Sequence, residues 1–310
     1  MTRLIIDTDT AQDDAIALLL ALASPATVEA VTVVAGNVGF AQEIENALYT
    51  IELAGGPAKV PVHPGCAQPL MRPWFGAEEY HGTDGMGDAG HPRASQRPEP
   101  RHAVDLIVDS VVAAPGEITL IAIGPLTNIA MAVRREPEIA GRVRHLYVMG
   151  GTNNGIGNVT PAAEFNFYVD PEAAQIVLGA GFPLTLVDWT LTRRQGVVTA
   201  AELEAIAALD TERSRFFTCI TRLALNYCRG IGIEGIPQPD ALACALAIDD
   251  GLVTRSRRCR VDVETRGELT RGYCSVDWND ALGLEPNARI VDEIDRERFM
   301  RMLMDSLGTA

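Results

Sequence analysis

The chain is short of positive charge, of paired cysteines and of long apolar runs, and each shortage excludes something. Its 310 residues carry 26 Lys and Arg against 41 Asp and Glu, a formal net charge of −15. A surface of that sign repels phosphate backbones, which argues against a nucleic-acid partner and suits a cation or a neutral small ligand. The cysteines Cys66, Cys219, Cys228, Cys244, Cys259 and Cys274 form no C-x-x-C pair, and no His cluster accompanies them. They read as reduced thiols packed in the core of a cytoplasmic protein. The longest apolar run, Ala15 to Ala23, has nine residues, too few to span a bilayer. Asp7 interrupts the N-terminal apolar run, so no secretory leader is expected and no membrane partner either. With no internal repeat and no linker, residues 1–310 are expected to form a single domain.

What is present is alternation. Leu4–Ile6 and the Val-rich Val28–Ala35 read as buried strands, as do Ile118–Ile123, Val143–Met149 and Leu184–Val187. Helical stretches fall between them. Asp14–Ser24 is apolar on nearly every face and stops at Ser24-Pro25; Ala41–Ala54 is amphipathic and closed by Gly55-Gly56. A helix starts at Thr127, and Asp170–Leu178 has Pro171 in its first turn. Strands that are continuously apolar, alternating with helices, predict an α/β fold: an open, mostly parallel sheet flanked by helices, with right-handed crossovers. Ala201–Ala208, Glu212–Cys228 and Asp240–Ala247 predict a helical C-terminal part, followed by strands within 259–276 that turn at Arg266-Gly267. Residues 64–100, rich in Pro, Gly and His, read as a long loop beside the sheet, and such loops are often functional.

Carboxylates are concentrated in one place. The stretch LIIDTDTAQDDA sets Asp7, Asp9, Asp13 and Asp14 within eight residues, directly after the first strand. Capping and dipole complementation account for Asp13 and Asp14 at the start of a helix, but not for Asp7 and Asp9 before it. In open α/β sheets ligands sit beyond the carboxyl ends of the strands. A cluster of like charges there calls for a cation, and oxygen ligands without His or Cys point to calcium or magnesium. Other strand ends carry polar residues of the same kind: Asn37 after VTVVAG, Asn128 after IAIGPLT, and Asn153, Asn154 and Asn158 in VMGGTNNGIGN. In AEFNFYVDPEAA, Glu164 and Asn166 stand two apart, so an extended segment would show both on one face. Asp240 follows Pro239 at a helix start. Singly, each is a loop residue or a cap. Together they describe a carboxylate- and amide-rich pocket suited to a ligand with several hydroxyls, such as a sugar.

These residues resemble the nucleoside hydrolase family, the inosine–uridine-preferring type of ribohydrolase. The family's opening motif is D-x-D-P-G-x-D-D-A, and Asp7 to Ala15 here reads D-T-D-T-A-Q-D-D-A. The resemblance runs on through VAGN, HGTDGMG, GPLTNIAMA, VMGG and AEFNFYVDPEAA to the Asp240 segment, in the family's order. It implies a calcium ion held by Asp9, by Asp14 through both oxygens, by Asp240 and by the backbone carbonyl of Ile123, with Asp7 supporting the site from behind. It places Asp13 and Asn166 on ribose hydroxyls, Asn158 and Glu164 on the 5′-hydroxyl, and Asn37, Met149 and Asp240 among the other substrate contacts. The implied reaction is hydrolysis of the N-glycosidic bond of a small-molecule ribonucleoside. Calcium lowers the pKa of a water, Asp9 takes its proton, and other carboxylates stabilise positive charge developing on the sugar. The family's homodimers and homotetramers imply a homo-oligomer.

The chain also departs from the family's pattern. Thr10-Ala11 replaces Pro-Gly, a change of turn stiffness more than of chemistry. Many members have a His before the last metal-binding Asp; here Pro239 stands there and can donate nothing. His81 matches the family's other pocket His, and Tyr227 and Arg229 lie on or just beyond the helix expected to border the base. His81 and Tyr227 are therefore the base-side candidates, and Trp74 and Tyr80 are aromatics that could stack on a base. A phosphatase of the haloacid dehalogenase type also opens with D-x-D, but Ala11 stands where that motif wants Thr or Val, and it has no use for Asp13-Asp14. A non-catalytic nucleoside- or ribose-binding protein, or a hydrolase of another N-riboside, would keep the same residues.

Overall fold

Side chains along each central strand alternate between two apolar layers. Leu4 and Ile6 point into one core and Ile5 into the other; Tyr147 and Met149 oppose Leu146 and Val148 in the same way. Strands buried on both faces belong inside a sheet covered by helices on both sides. The computed structural model, which describes residues 2–55 and 60–309, has that architecture. Val197–Val198 and Ile236–Pro237 pair separately; the strands of the main sheet are β1 Arg3–Thr8, β2 Thr27–Val33, β3 Val62–Pro64, β4 Ile118–Ala122, β5 His145–Met149, β6 Leu184–Val187, β7 Val253–Val263, β8 Cys274–Asp277 and β9 Ala288–Ile294. They form one nine-stranded sheet in the order β8-β7-β9-β6-β5-β4-β1-β2-β3. All pairings from β9 to β3 are parallel; β7 runs antiparallel to both β9 and β8.

Five helices position the site: α1 Gln12–Ala23, α2 Phe40–Ala54, α3 Phe165–Val169, α4 Arg222–Gly230 and α5 Pro239–Ile248. Helix α1 is buried along most of its length because α2 and α5 flank it on the sheet and Arg296–Gly308 packs against it, which explains its lack of a polar face. Helices α1, α2 and α5 cover one face of the sheet with Arg296–Gly308; Ala103–Ala113, Thr127–Arg135 and Pro171–Leu178 cover the other. The chain travels outward from β1 to β3 on one side and from β4 to β6 on the other. The topological switch point, where such sheets open a crevice, therefore lies between β1 and β4.

Most expected elements appear with ends moved by a few residues, and Gly56 lies outside the described residues. Three differences stand out. The stretch expected as one helix over Glu212–Cys228 is two, Glu212–Ile220 and α4, with Thr221 between them, its hydroxyl donating to the Phe217 carbonyl at 2.7 Å. The C-terminal part is not only helical: β9 enters the sheet between β6 and β7. Glu164 and Asn166 do not lie on an extended segment. Glu164 is the N-cap of α3, its carboxylate accepting from the N–H groups of Asn166 and Phe167.

Candidate active site

The floor of the crevice is built by the turn from β1 into α1. Asp7, still on β1, accepts from Thr32 Oγ1 at 2.5 Å and from Asn128 Nδ2 at 2.8 Å, while its other oxygen has no hydrogen-bond partner. Burial raises its pKa to about 7. Asn128 also holds the Val33 carbonyl and the Cys66 N–H, so it ties three strand ends together and does not line the cavity. Asp14 reaches back to the Ala11 N–H at 3.0 Å and accepts from Thr8 Oγ1 at 2.6 Å and from Asn37 Nδ2 at 3.3 Å, a capping role beneath the crevice floor. Asp9 accepts from the Asn37 N–H at 3.1 Å through Oδ2, and its Oδ1 has no partner. The backbone crowds Asp9 from two sides: a Cβ on Gly36 would strike its Oδ2, and one on Gly124 would lie 2.7 Å from its Oδ1.

Above this turn, oxygens of Asp13, Asp14 and Asp240 all lie within 4.8 Å of one another. Asp9 stands beside the trio. Burial, then the charge of Asp14, lifts the Asp9 carboxyl well above the usual range, and burial with Asp13 does the same to Asp240. Burial brings Asp13 to about 8 and Asp14 to about 6. Asp13 Oδ1, like Asp9 Oδ1, is buried without a hydrogen-bond partner. Such oxygens left together are costly unless protons or a cation offset them. The donors are all oxygen, and the Ile123 carbonyl sits close enough to receive Asn166 Nδ2 at 3.0 Å. The residues present therefore fit a hard divalent cation.

A cavity of about 230 Å³ opens over this floor. Asp13, Asn37, Ile123, Met149 and Asp240 line its base, all at or just beyond strand ends or helix starts. Asn158, Glu164 and Asn166 form one wall. Glu164 accepts the Gly151 N–H at 2.8 Å besides its two cap bonds, and burial raises its pKa to about 7. Asn166 bridges the ends of β4 and β5 by donating to the carbonyls of Ile123 and Met149. Asp9 and Asp14 are buried beneath the lining and do not reach the cavity surface.

His81, Tyr227 and Pro239 line the opposite wall with Tyr80. His81 Nδ1 is 3.8 Å from Asp13 Oδ1, and burial lowers its pKa to about 3, so its imidazole is neutral near neutral pH. The Tyr80 ring meets His81 and Tyr227 edge-on, with centroids 4.7 and 5.4 Å away. Trp74 does not stack in the cavity: its indole N–H donates to the Gly36 carbonyl at 2.9 Å, and Phe75 faces the cavity instead. Arg229 is likewise off the lining. Sequence reasoning missed Phe75, Trp189 and Glu43. Trp189 follows the end of β6, so the strand-end rule that found Asn37 could have found it. Glu43, buried in α2, accepts from the N–H groups of Gly36 and Val38 and so brackets Asn37; nothing in the sequence around it marks that role.

Fold and site together define an open α/β protein with a cavity over an acidic floor whose residues fit a metal ion. The inosine-uridine preferring nucleoside hydrolase family model matches residues 4–301, and the chain belongs to that family. It is thus an N-ribohydrolase. The pyrimidine-specific ribonucleoside hydrolase RihA of Salmonella arizonae is 36% identical over 98% of this chain and 97% of its own. Among solved structures, a plant nucleoside hydrolase, the PpNRh1 enzyme, aligns with a TM-score of 0.93 at 31% identity, covering 100% of this chain and 99% of its own. A purine-preferring ribonucleoside hydrolase from Gardnerella vaginalis aligns at 0.91 and 30% identity, covering 99% and 98%.

Proposed function

We propose that the chain hydrolyses the N-glycosidic bond of ribonucleosides to ribose and free base, with calcium held by Asp9, Asp14, Asp240 and the Ile123 carbonyl. One observation carries the reading: the buried, mutually repelling carboxylates of Asp13, Asp14 and Asp240 lie at the floor of a ribose-sized cavity, with Asp9 beside them. When bound, calcium supplies the charge that keeps these carboxylates ionised, acidifies a nearby water and orients sugar hydroxyls. Asp9 is the general base. Its Oδ1 carries no competing hydrogen bond, and the Asn37 N–H on Oδ2 fixes its direction. Asp13 and Asn166 take ribose hydroxyls, Asn158 and Glu164 the 5′-hydroxyl, and Asn37 and Met149 the flank of the ring. Carboxylates around the ring stabilise oxocarbenium charge as the bond to the base stretches. On the base side, His81 and Tyr227 are the hydrogen-bonding groups, because Pro239 offers no proton.

The test is ribose release from a panel of purine and pyrimidine nucleosides, with and without calcium chelation, beside Asp9→Asn. Calcium-dependent release that disappears in Asp9→Asn is expected. The pyrimidine-specific and purine-preferring relatives point in opposite directions, so the panel must span both bases. No release from any nucleoside, with calcium bound and the protein folded, would replace the reading with a binding protein or a hydrolase of another N-riboside. We infer further that residues 1–310 work as one domain in the cytoplasm, as a homodimer or homotetramer, which light scattering reads directly. Among the described residues, no helix is long and apolar enough to cross a membrane.

A further inference from the structure

The wall that carries Asn158 is held by residues that never reach the cavity. Residues Asn153 and Asn154 are consecutive and both left-handed, with φ of 50° and 58°. Asparagine tolerates this conformation better than most side chains, but two in a row remain uncommon and are held where neighbours fix them. Here the neighbour is β8, the edge strand of the sheet. The Asn154 side-chain amide pairs with both main-chain groups of Val276: Oδ1 accepts its N–H at 2.8 Å and Nδ2 donates to its carbonyl at 2.7 Å. The side chain thereby occupies the place a tenth strand's backbone would take. The Tyr273 hydroxyl adds a bond to Asn154 Oδ1 at 3.2 Å, and the Trp278 indole N–H donates to Asn153 Oδ1 at 2.8 Å. At the far end of the loop, Ala163 bridges to Tyr273. Between these two anchors the chain delivers Asn158, whose Oδ1 accepts the Phe165 N–H at 2.9 Å and which lines the cavity.

We propose that Asn154 is a positioning residue for substrate recognition: by docking the 152–163 loop on β8 it sets where Asn158 meets the 5′ end of the sugar. This rests on the reading above that Asn158 takes the 5′-hydroxyl. The Asn154 N–H also donates to the Cys274 carbonyl at 3.3 Å, and the two-point side-chain contact adds to this backbone anchor by fixing the rotation of the loop against the strand. Loss of the contact therefore acts on the 5′-hydroxyl and not on the acidic floor, which hangs from β1, α1 and α5. It also spares the fold of the sheet, because the pairing of β8 with β7 does not use Asn154.

The experiment measures KM and kcat for a ribonucleoside and its 5′-deoxy analogue in the wild type, Asn154→Gly, Asn154→Asp, Asn158→Ala and the double variant Asn154→Gly with Asn158→Ala. Glycine keeps the left-handed backbone and removes only the side-chain bonds. Aspartate keeps the acceptor for Val276 and loses the donor. Asn154→Gly is expected to raise KM for the parent nucleoside about tenfold, the scale of one hydrogen bond, while the 5′-deoxy analogue responds far less. The ratio of the two KM values then collapses toward that of Asn158→Ala, with Asn154→Asp in between, and the double variant loses nothing more. Equal KM increases on both substrates would overturn the proposal, as that is what general loosening produces. A collapsed ratio in Asn158→Ala with an unchanged one in Asn154→Gly would overturn it alone. An unchanged ratio in Asn158→Ala would remove the 5′ reading of the site and this proposal with it. If Asn154→Gly does not fold, Asn154→Asp carries the same comparison.

Discussion

At the scale of the residue, Asp9 is crowded by backbone on two sides. One oxygen is fixed by the Asn37 N–H, and the other is buried without a partner. Asp9→Asn keeps the shape and removes the base. A loss of kcat of about 10²- to 10⁴-fold is expected, measured as ribose release at saturating nucleoside and calcium. The metal-free variant is expected to unfold at an equal or higher temperature at alkaline pH, because it has no carboxyl to ionise in this buried, acidic setting. Pro239→His tests the other wall. Proline at the first position of α5 has no N–H to lose, so its replacement costs the helix little. An imidazole there restores a proton donor beside the base, and kcat for neutral nucleosides is expected to rise about tenfold or more. An unchanged kcat would mean that the leaving group needs no acid from this position. The residues singled out in the sequence that line or underlie the cavity share a property: Asp7, Asp9, Asp13, Asp14, Glu164, Asn166 and Asp240 sit at strand ends or helix starts, where local pattern marks them, and Asn37 and Asn158 lie in the loops that follow strands. Phe75 and Glu43 lie within a loop and a helix, and only tertiary packing turns them toward the site.

At the scale of the element, two tight approaches make the crevice. Gly36 after β2 and Gly124 after β4 pass so close to Asp9 that neither tolerates a side chain. Gly36→Ala is expected to push the Asp9 carboxylate off its Asn37 contact, lowering kcat at least tenfold at a stability cost of about 1–3 kcal/mol. Activity near wild type in Gly36→Ala would show that Asp9 can move without penalty, which contradicts its role as a fixed base. The central elements were legible because their strands are mostly apolar and rich in Ile, Leu and Val. Strand β3 was not, since three residues carry no period. Strand β9, ARIVDEI, hides its apolar side among charges because it neighbours an antiparallel strand near the sheet's end. Arg296–Gly308 follows it with apolar residues spaced at helical intervals, a signal the C-terminal reading passed over.

At the scale of the whole molecule, the buried carboxyls connect stability to pH and to the metal ion. Burial raises Asp7, Glu164 and Asp188 to about 7 and Asp13 and Glu43 to about 8, from ordinary values of 3.8 or 4.5. A folded state with raised carboxyl pKa values binds more protons than the unfolded chain between those limits. Its stability is then fully present below about pH 4 and is lost as pH rises through 7 and 8. Self-repulsion from a net charge of −15 works in the same direction. The metal-free protein is therefore expected to melt at progressively lower temperature from pH 5 to pH 8. Calcium binds the ionised carboxylates and opposes this trend, so its stabilisation should grow with pH. At one hundred times its dissociation constant a ligand adds about 2.7 kcal/mol, or roughly 5 °C for a chain of this length. Thermal unfolding at each pH, in chelator and in excess calcium, separates the two slopes. A calcium-induced shift that stays constant across the range would mean that the ion does not sit among these carboxyls, and the floor of the cavity would need another occupant.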